Sequence, residues 1–134
     1  MSWICPKCER ELPRPEQSHY CARVSLDSLF EGRPPELMLV FDKLLAEVAD
    51  WDGVLVGTTP NCIVFTRRLT FLVIRPMKKE LDLKFYSKVA HPEKPVLKSV
   101  ASINKFENHI RIGLLDDLRP ALFRYLRESY ELLA

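Results

Sequence analysis

Residues 63–86 read IVFTRRLTFLVIRPMKKELDLKFY, and this stretch decides the fold. Ile63 and Phe65 alternate with Val64 and Thr66. Leu69, Phe71 and Val73 alternate with Thr70, Leu72 and Ile74, and Leu81, Leu83 and Phe85 with Asp82, Lys84 and Tyr86. A strand turns successive side chains to opposite faces, so a period of two with one polar face marks half-buried antiparallel strands. A fourth run, Ile103 to Ile112, reads as one longer bent strand or two short ones.

Working outward, the sheet is flanked by helical patterns. Before it, Leu37, Phe41, Leu44, Leu45 and Val48 share one face of a helix that starts at Glu36 and ends near Asp52-Gly53. After the third run, Ala90 to Val100 holds Pro92, Pro95 and several lysines and reads as a loop. A last helix is expected from Asp116 or Asp117, whose carboxylate would cap free amides, with Pro120 tolerated in its first turn. Leu118, Leu122, Tyr125 and Leu126 would then face inward. Helix, antiparallel strands, then helix predicts an α+β fold with helices against one sheet face. A chain of 134 residues holds one such domain and a small appendage.

The appendage is the N-terminal segment. Met1 to Cys21 has few aliphatic residues, contains Pro6, Pro13 and Pro15, and carries three of the four cysteines. It cannot fold on burial alone. A short helical turn and the Pro34-Pro35 pair, between Leu26 and Pro35, join it to the rest. The boundary is placed near residue 25, giving a finger over 1–25 and an α+β domain over 26–134. Cys5-Pro6-Lys7-Cys8 is followed after ten residues by His19-Tyr20-Cys21. Two ligand pairs at the ends of a short loop can close a tetrahedral thiolate–imidazole set, so Cys5, Cys8, His19 and Cys21 are read as ligands of a structural zinc ion, Zn2+. Metal binding would supply the folding free energy that burial does not. A redox CxxC would sit at a helix start in a βαβ setting, which this order of elements does not build. Cys62 opens a strand and is read as a small core residue.

Composition excludes other classes. The longest apolar run, Leu37 to Phe41, is five residues, against about 18 for a bilayer span. Trp3, Cys5 and Lys7 at the start do not fit a secretory signal. A cytoplasmic protein is expected, where cysteines serve as metal ligands or core residues rather than in disulfides.

The net charge of +2 hides an asymmetry. Residues 31–59 carry two Lys/Arg against six Asp/Glu, while residues 60–111 carry eleven against four, a net +7. A basic surface attracts anionic partners. Arg67, Arg68, Arg75, Lys78, Lys79, Lys84, His109 and Arg111 are therefore the candidate nucleic-acid or anion contacts, with Lys7, Arg10 and Arg14 presented by the finger. Phe65, Phe71 and Phe85 fall at inward positions, which leaves Tyr86 as the outward aromatic. The leading expectation is a non-catalytic binding module that contacts nucleic acid. A protein-interaction adaptor competes with it, and so does an enzyme or binder of small anions using His91, His109, Arg111 or Arg75. His109 and Arg111 share a strand face by the two-residue rule. No Ser-His-Asp set, Walker loop, HExxH or glycine-rich phosphate turn is visible, and no membrane partner is expected. An exposed sheet edge could pair two copies.

The same residues carry a resemblance. Trp3-x-Cys5-x-x-Cys8-x-Arg10 and Gln17-x-His19-x-Cys21 resemble the start of uncharacterised bacterial proteins carrying the domain of unknown function numbered fifty-six fifty-five. Ile63-Val64-Phe65, Thr70-Phe71 with Arg75-Pro76, Leu81-x-Leu83-x-Phe85, His91-Pro92, the His109 strand and a closing helix ending near Tyr130 are similar too. The resemblance covers nearly the whole chain. It implies a two-part protein and assigns no catalytic residue.

Overall fold

The computed structural model describes residues 2–17, 19, 21, 25–91, 93 and 96–133. In chain order it holds β1 (Trp3–Ile4), β2 (Glu11–Leu12), α1 (Leu26–Phe30), α2 (Pro35–Val48), β3 (Leu55–Thr58), β4 (Ile63–Thr66), β5 (Thr70–Pro76) and β6 (Leu81–Ser87). Then come β7 (Lys98–Ser102), β8 (Lys105–Ile112), a 3-10 turn at Leu115–Asp117 and α3 (Pro120–Leu132). The fold is α+β. Strands β1 and β2 form a hairpin of their own, and the other six form one antiparallel sheet in the order β3-β4-β5-β6-β8-β7.

The alternating stretch becomes β4, β5 and β6, but the parity within β5 differs from expectation. The register slips between Phe65 and Thr66, so that Phe65 pairs with Leu72 and Thr66 with Thr70. Phe71 is the extra residue of this bulge, and both Phe71 and Leu72 are buried. The ladder to β6 starts only at Leu72 and Phe85. Ser129 of α3 fills the gap: its hydroxyl donates to the Phe71 carbonyl at 2.6 Å and accepts from the Tyr86 amide at 2.9 Å.

Three further departures have physical reasons. The expected loop over Ala90 to Val100 ends earlier, because Lys98–Val100 belong to β7, which pairs with β8 across an Ile103-Asn104 turn. Pro92, Lys94 and Pro95 of that loop lie outside the described residues, as do residues 22–24 at the expected domain boundary. The last helix starts at Pro120 rather than at Asp116 or Asp117. The Asp117 carboxylate reaches back to the amides of Gly113 and Leu114, both at 2.9 Å, and caps the 3-10 turn instead. Strand β3, a short run with a glycine at its centre, was not anticipated.

One core joins Leu37, Val40, Phe41, Leu44 and Val48 of α2 and Leu122, Leu126 and Tyr130 of α3 to Phe65, Leu72, Ile74, Leu83, Phe85 and Ile110 of the sheet. Both helices therefore cover the same face. The register identifies the other face: Gly57, Val64, Val73, Lys84, His109 and Lys98 form one row across the six strands, with Arg75, Asp82 and Arg111 forming the next. No described helix is long and apolar enough to cross a membrane.

Candidate metal centre and the helix-free sheet face

The finger is built around a tight turn. The Cys5 amide donates to the Arg10 carbonyl at 2.9 Å, and the Glu9 amide to the Cys5 carbonyl at 2.8 Å, so residues 5–10 fold back between β1 and β2. Glu9 closes the turn at φ 61°, a left-handed conformation that disfavours side chains. The turn aims the amides of Cys8 and Lys7 at the Cys5 sulfur, pulling its thiol down to about 6 against the opposing effect of desolvation. Cys21, facing the Cys5 sulfur, is pushed up to about 11.

The ligand atoms of Cys5, Cys8, His19 and Cys21 all lie within 4.8 Å of one another. Cys5 Sγ and Cys21 Sγ are 3.6 Å apart, and Cys8 Sγ and His19 Nε2 are 3.3 Å apart. A tetrahedral ion with metal–sulfur bonds of about 2.3 Å and metal–nitrogen bonds of about 2.0 Å needs edges of about 3.8 and 3.5 Å. The donor set fits. His19 Nδ1 lies 2.7 Å from the Gln17 carbonyl, which can only accept, so the proton sits on Nδ1 and the Nε2 lone pair points at the cluster. Cys5 and Cys8 are buried, and the edge of the Trp3 ring packs against His19 at 6.4 Å. Cys62 stands apart, half-buried before β4 and outside both the cluster and the core.

The finger docks on the domain. Arg10, expected to face outward, instead lies against Gly57 of β3, on the face without helices. Leu12 and Val64 are buried outside the core under the helices.

The structure divides the basic candidates. Arg67 sits at the β4–β5 turn, its guanidinium 4.5 Å from the Tyr130 ring centre on the helix side, with Arg68 exposed beside it. Arg75, Lys84, His109 and Arg111 share the helix-free face, with Lys78 and Lys79 in the adjoining β5–β6 turn. The two groups are roughly 17 Å apart along β5 at 3.3 Å per residue. Lys98, not singled out in the sequence, joins the second group by pairing with His109. There Arg75, Met77, Asp82, Leu97, Lys98, His109 and Arg111 line a groove of about 430 Å³.

His109 and Arg111 in this groove are already engaged. His109 Nδ1 lies 3.0 Å from Asp82 and Nε2 lies 3.1 Å from Glu107, while Arg111 Nε lies 3.5 Å from Asp82. His91 is held in the same manner, between Glu93 and Glu128 at 3.3 Å each. Asp82 went unnoticed because only the β6–β8 register brings it to His109, whereas Glu107 lies two residues away on β8 itself. Among the described residues Arg75, Lys78, Lys79, Lys84 and Lys98 have no ion-pair partner. Phe65, Phe71 and Phe85 are fully buried, and Tyr86 is half-buried beneath Lys105 at 4.9 Å.

Comparison with known proteins adds the family. The model of the domain of unknown function DUF5655 matches residues 26–133. The chain belongs to this family. No curated protein and no solved structure matches it. In this DUF5655 chain the matched span holds α1, α2, α3 and the whole six-stranded sheet, while the Cys/His cluster lies before it.

Proposed function

We propose that this DUF5655 protein is a cytoplasmic, non-catalytic binding module, in which a zinc finger of residues 1–25 is attached to an α+β domain of residues 26–134. In this reading the domain grips the phosphate backbone of nucleic acid. The observation that carries it is the strip of cations without ion-pair partners among the described residues, Arg75, Lys78, Lys79, Lys84 and Lys98, at one end of the helix-free sheet face. Cations neutralise phosphates without reading sequence. Burial of the phenylalanines argues against base stacking and leaves charge as the means of attachment. The carboxylates on both nitrogens of His109 favour binding over catalysis. For the metal, three soft thiolates and one imidazole with no open position favour structural zinc, which would hold the finger's turns in place of a core.

Elemental analysis and a mobility assay over a salt series test this together. One zinc per chain is expected. About four phosphate contacts give a log–log salt slope near −3.6, roughly a hundredfold loss of affinity between 50 and 200 mM salt. Replacing Arg75 and Lys98 with Ala is expected to flatten the slope by about 2. No salt-sensitive binding to single- or double-stranded nucleic acid refutes the reading. A protein partner is the second reading, favoured by Leu97, Val100 and Ile103, which stand 62%, 45% and 84% exposed along the sheet edge at β7. Its mark is a partner that survives nuclease treatment.

A further inference from the structure

We propose that Arg10 is a fifth functional residue of the metal centre, a counter-ion whose guanidinium balances the metal complex and, packed against Gly57, locks the finger onto the sheet. The inference rests on the reading that the cluster holds a divalent ion. Three thiolates, a neutral imidazole and a divalent ion sum to one negative charge, which a partly buried site must offset. Arg10 follows Cys8 by two residues and is half-buried. Its guanidinium lies within electrostatic reach of the Cys8 sulfur. Its Nε is buried and has no hydrogen-bond partner among the described residues. An arginine placed this way is costly unless an anion lies near it, and a metal-bound Cys8 thiolate is one.

Gly57 supplies the other half. Its φ is not in the left-handed region, so its backbone does not require glycine. An alanine Cβ there would lie 2.6 Å from Arg10 Cζ and 2.9 Å from Cδ, so the guanidinium, at the free end of a long side chain, would have to move aside. Gly57 belongs to edge strand β3, and its missing side chain leaves the slot in which the guanidinium rests. The chain passes directly from Arg10 into β2, where Leu12 is only 2% exposed. Metal binding and docking therefore share one side chain.

The test uses the full-length chain and Zn2+ in competition with a chromophoric chelator. Arg10→Met keeps an unbranched apolar stem and removes the guanidinium and its charge. Gly57→Ala displaces the guanidinium without touching a ligand. Each is expected to weaken Zn2+ binding by about tenfold, the lower end of the range for residues that support metal ligands. The double variant is expected to lose no more than either single one, since both break the same contact. Both singles are also expected to speed proteolysis within residues 1–25 at saturating Zn2+, with thermal unfolding of the domain unchanged in Arg10→Met. Affinities within twofold of wild type, or losses that add in the double variant, overturn the proposal. A wild-type chain that takes up no Zn2+ sinks the metal reading and this inference together, whereas wild-type uptake with unmoved variants sinks this inference alone.

Discussion

Replacing Ser129 with Ala probes the joint that ties α3 to the sheet. Ser129 is fully buried, and its hydroxyl serves the Tyr86 amide at 2.9 Å and the Phe71 carbonyl at 2.6 Å. These two groups sit where the β5–β6 ladder has already ended, so no strand partner takes over when the hydroxyl is removed. An unsatisfied buried donor or acceptor costs about 1–3 kcal/mol, the carbonyl toward the lower end. The sum is about 2–4 kcal/mol. At about 4 °C per kcal/mol, between the values for smaller and larger domains, the midpoint should fall by about 8–16 °C. Urea unfolding followed by circular dichroism should show a lower midpoint concentration at unchanged slope. Ser102→Ala, on the exposed edge strand, serves as control and should stay within about 0.5 kcal/mol. A loss below about 0.5 kcal/mol for Ser129→Ala would refute the reasoning, since it would mean that the bulge finds other partners.

Two further outcomes follow from the finger and the groove. In the metal-free, reduced chain, Cys5 is lowered from 9.0 to about 6 and Cys21 is raised from 9.0 to about 11. Both must be thiolates to hold a metal ion, so Zn2+ uptake by the reduced chain releases protons and strengthens as pH rises. Zn2+ affinity should therefore climb as pH rises from about 6 through 9, and a profile flat over that range would contradict it. In the groove, Asp82→Asn removes the carboxylate that pairs with His109 and Arg111. Nucleic-acid affinity should rise about two- to fivefold, the equivalent of one partly exposed ion pair, and weaker binding would show that Asp82 is itself needed for the contact.

The parts of this molecule that were legible in the sequence are those specified locally. Leu81 to Tyr86 alternate because the pleat forces them to, and the four Cys/His side chains of the cluster fall within seventeen residues, close enough in the chain for their spacing to be read. Strand β7 gave no such signal: four of its five residues are exposed, so no buried face imposes a pattern on it. The Phe71 bulge was hidden for a related reason, since alternation assumes an unbroken ladder and a slipped register breaks it without changing residue types. His109 looked free because its two carboxylates come from Glu107 on its own strand and from Asp82, 27 residues earlier, which only the strand order makes its neighbour.

Arg10 shows how far such reasoning extends. Beside Lys7 and Arg14 in a proline-rich segment it reads as one more surface cation available to a phosphate. On that reading Gly57 would be a costly choice, because a glycine inside a strand loses packing and chain entropy and here has no left-handed φ to justify it. Once Arg10 lies in the slot, the glycine, the buried Leu12 and the charge of three thiolates have one explanation between them. The finger then occupies the β3 end of the helix-free face, and the cations from Arg75 to Lys98 occupy the other end. A cation spent inside the finger cannot also contact a phosphate, so the reach of the basic surface is set by the sheet rather than by the finger.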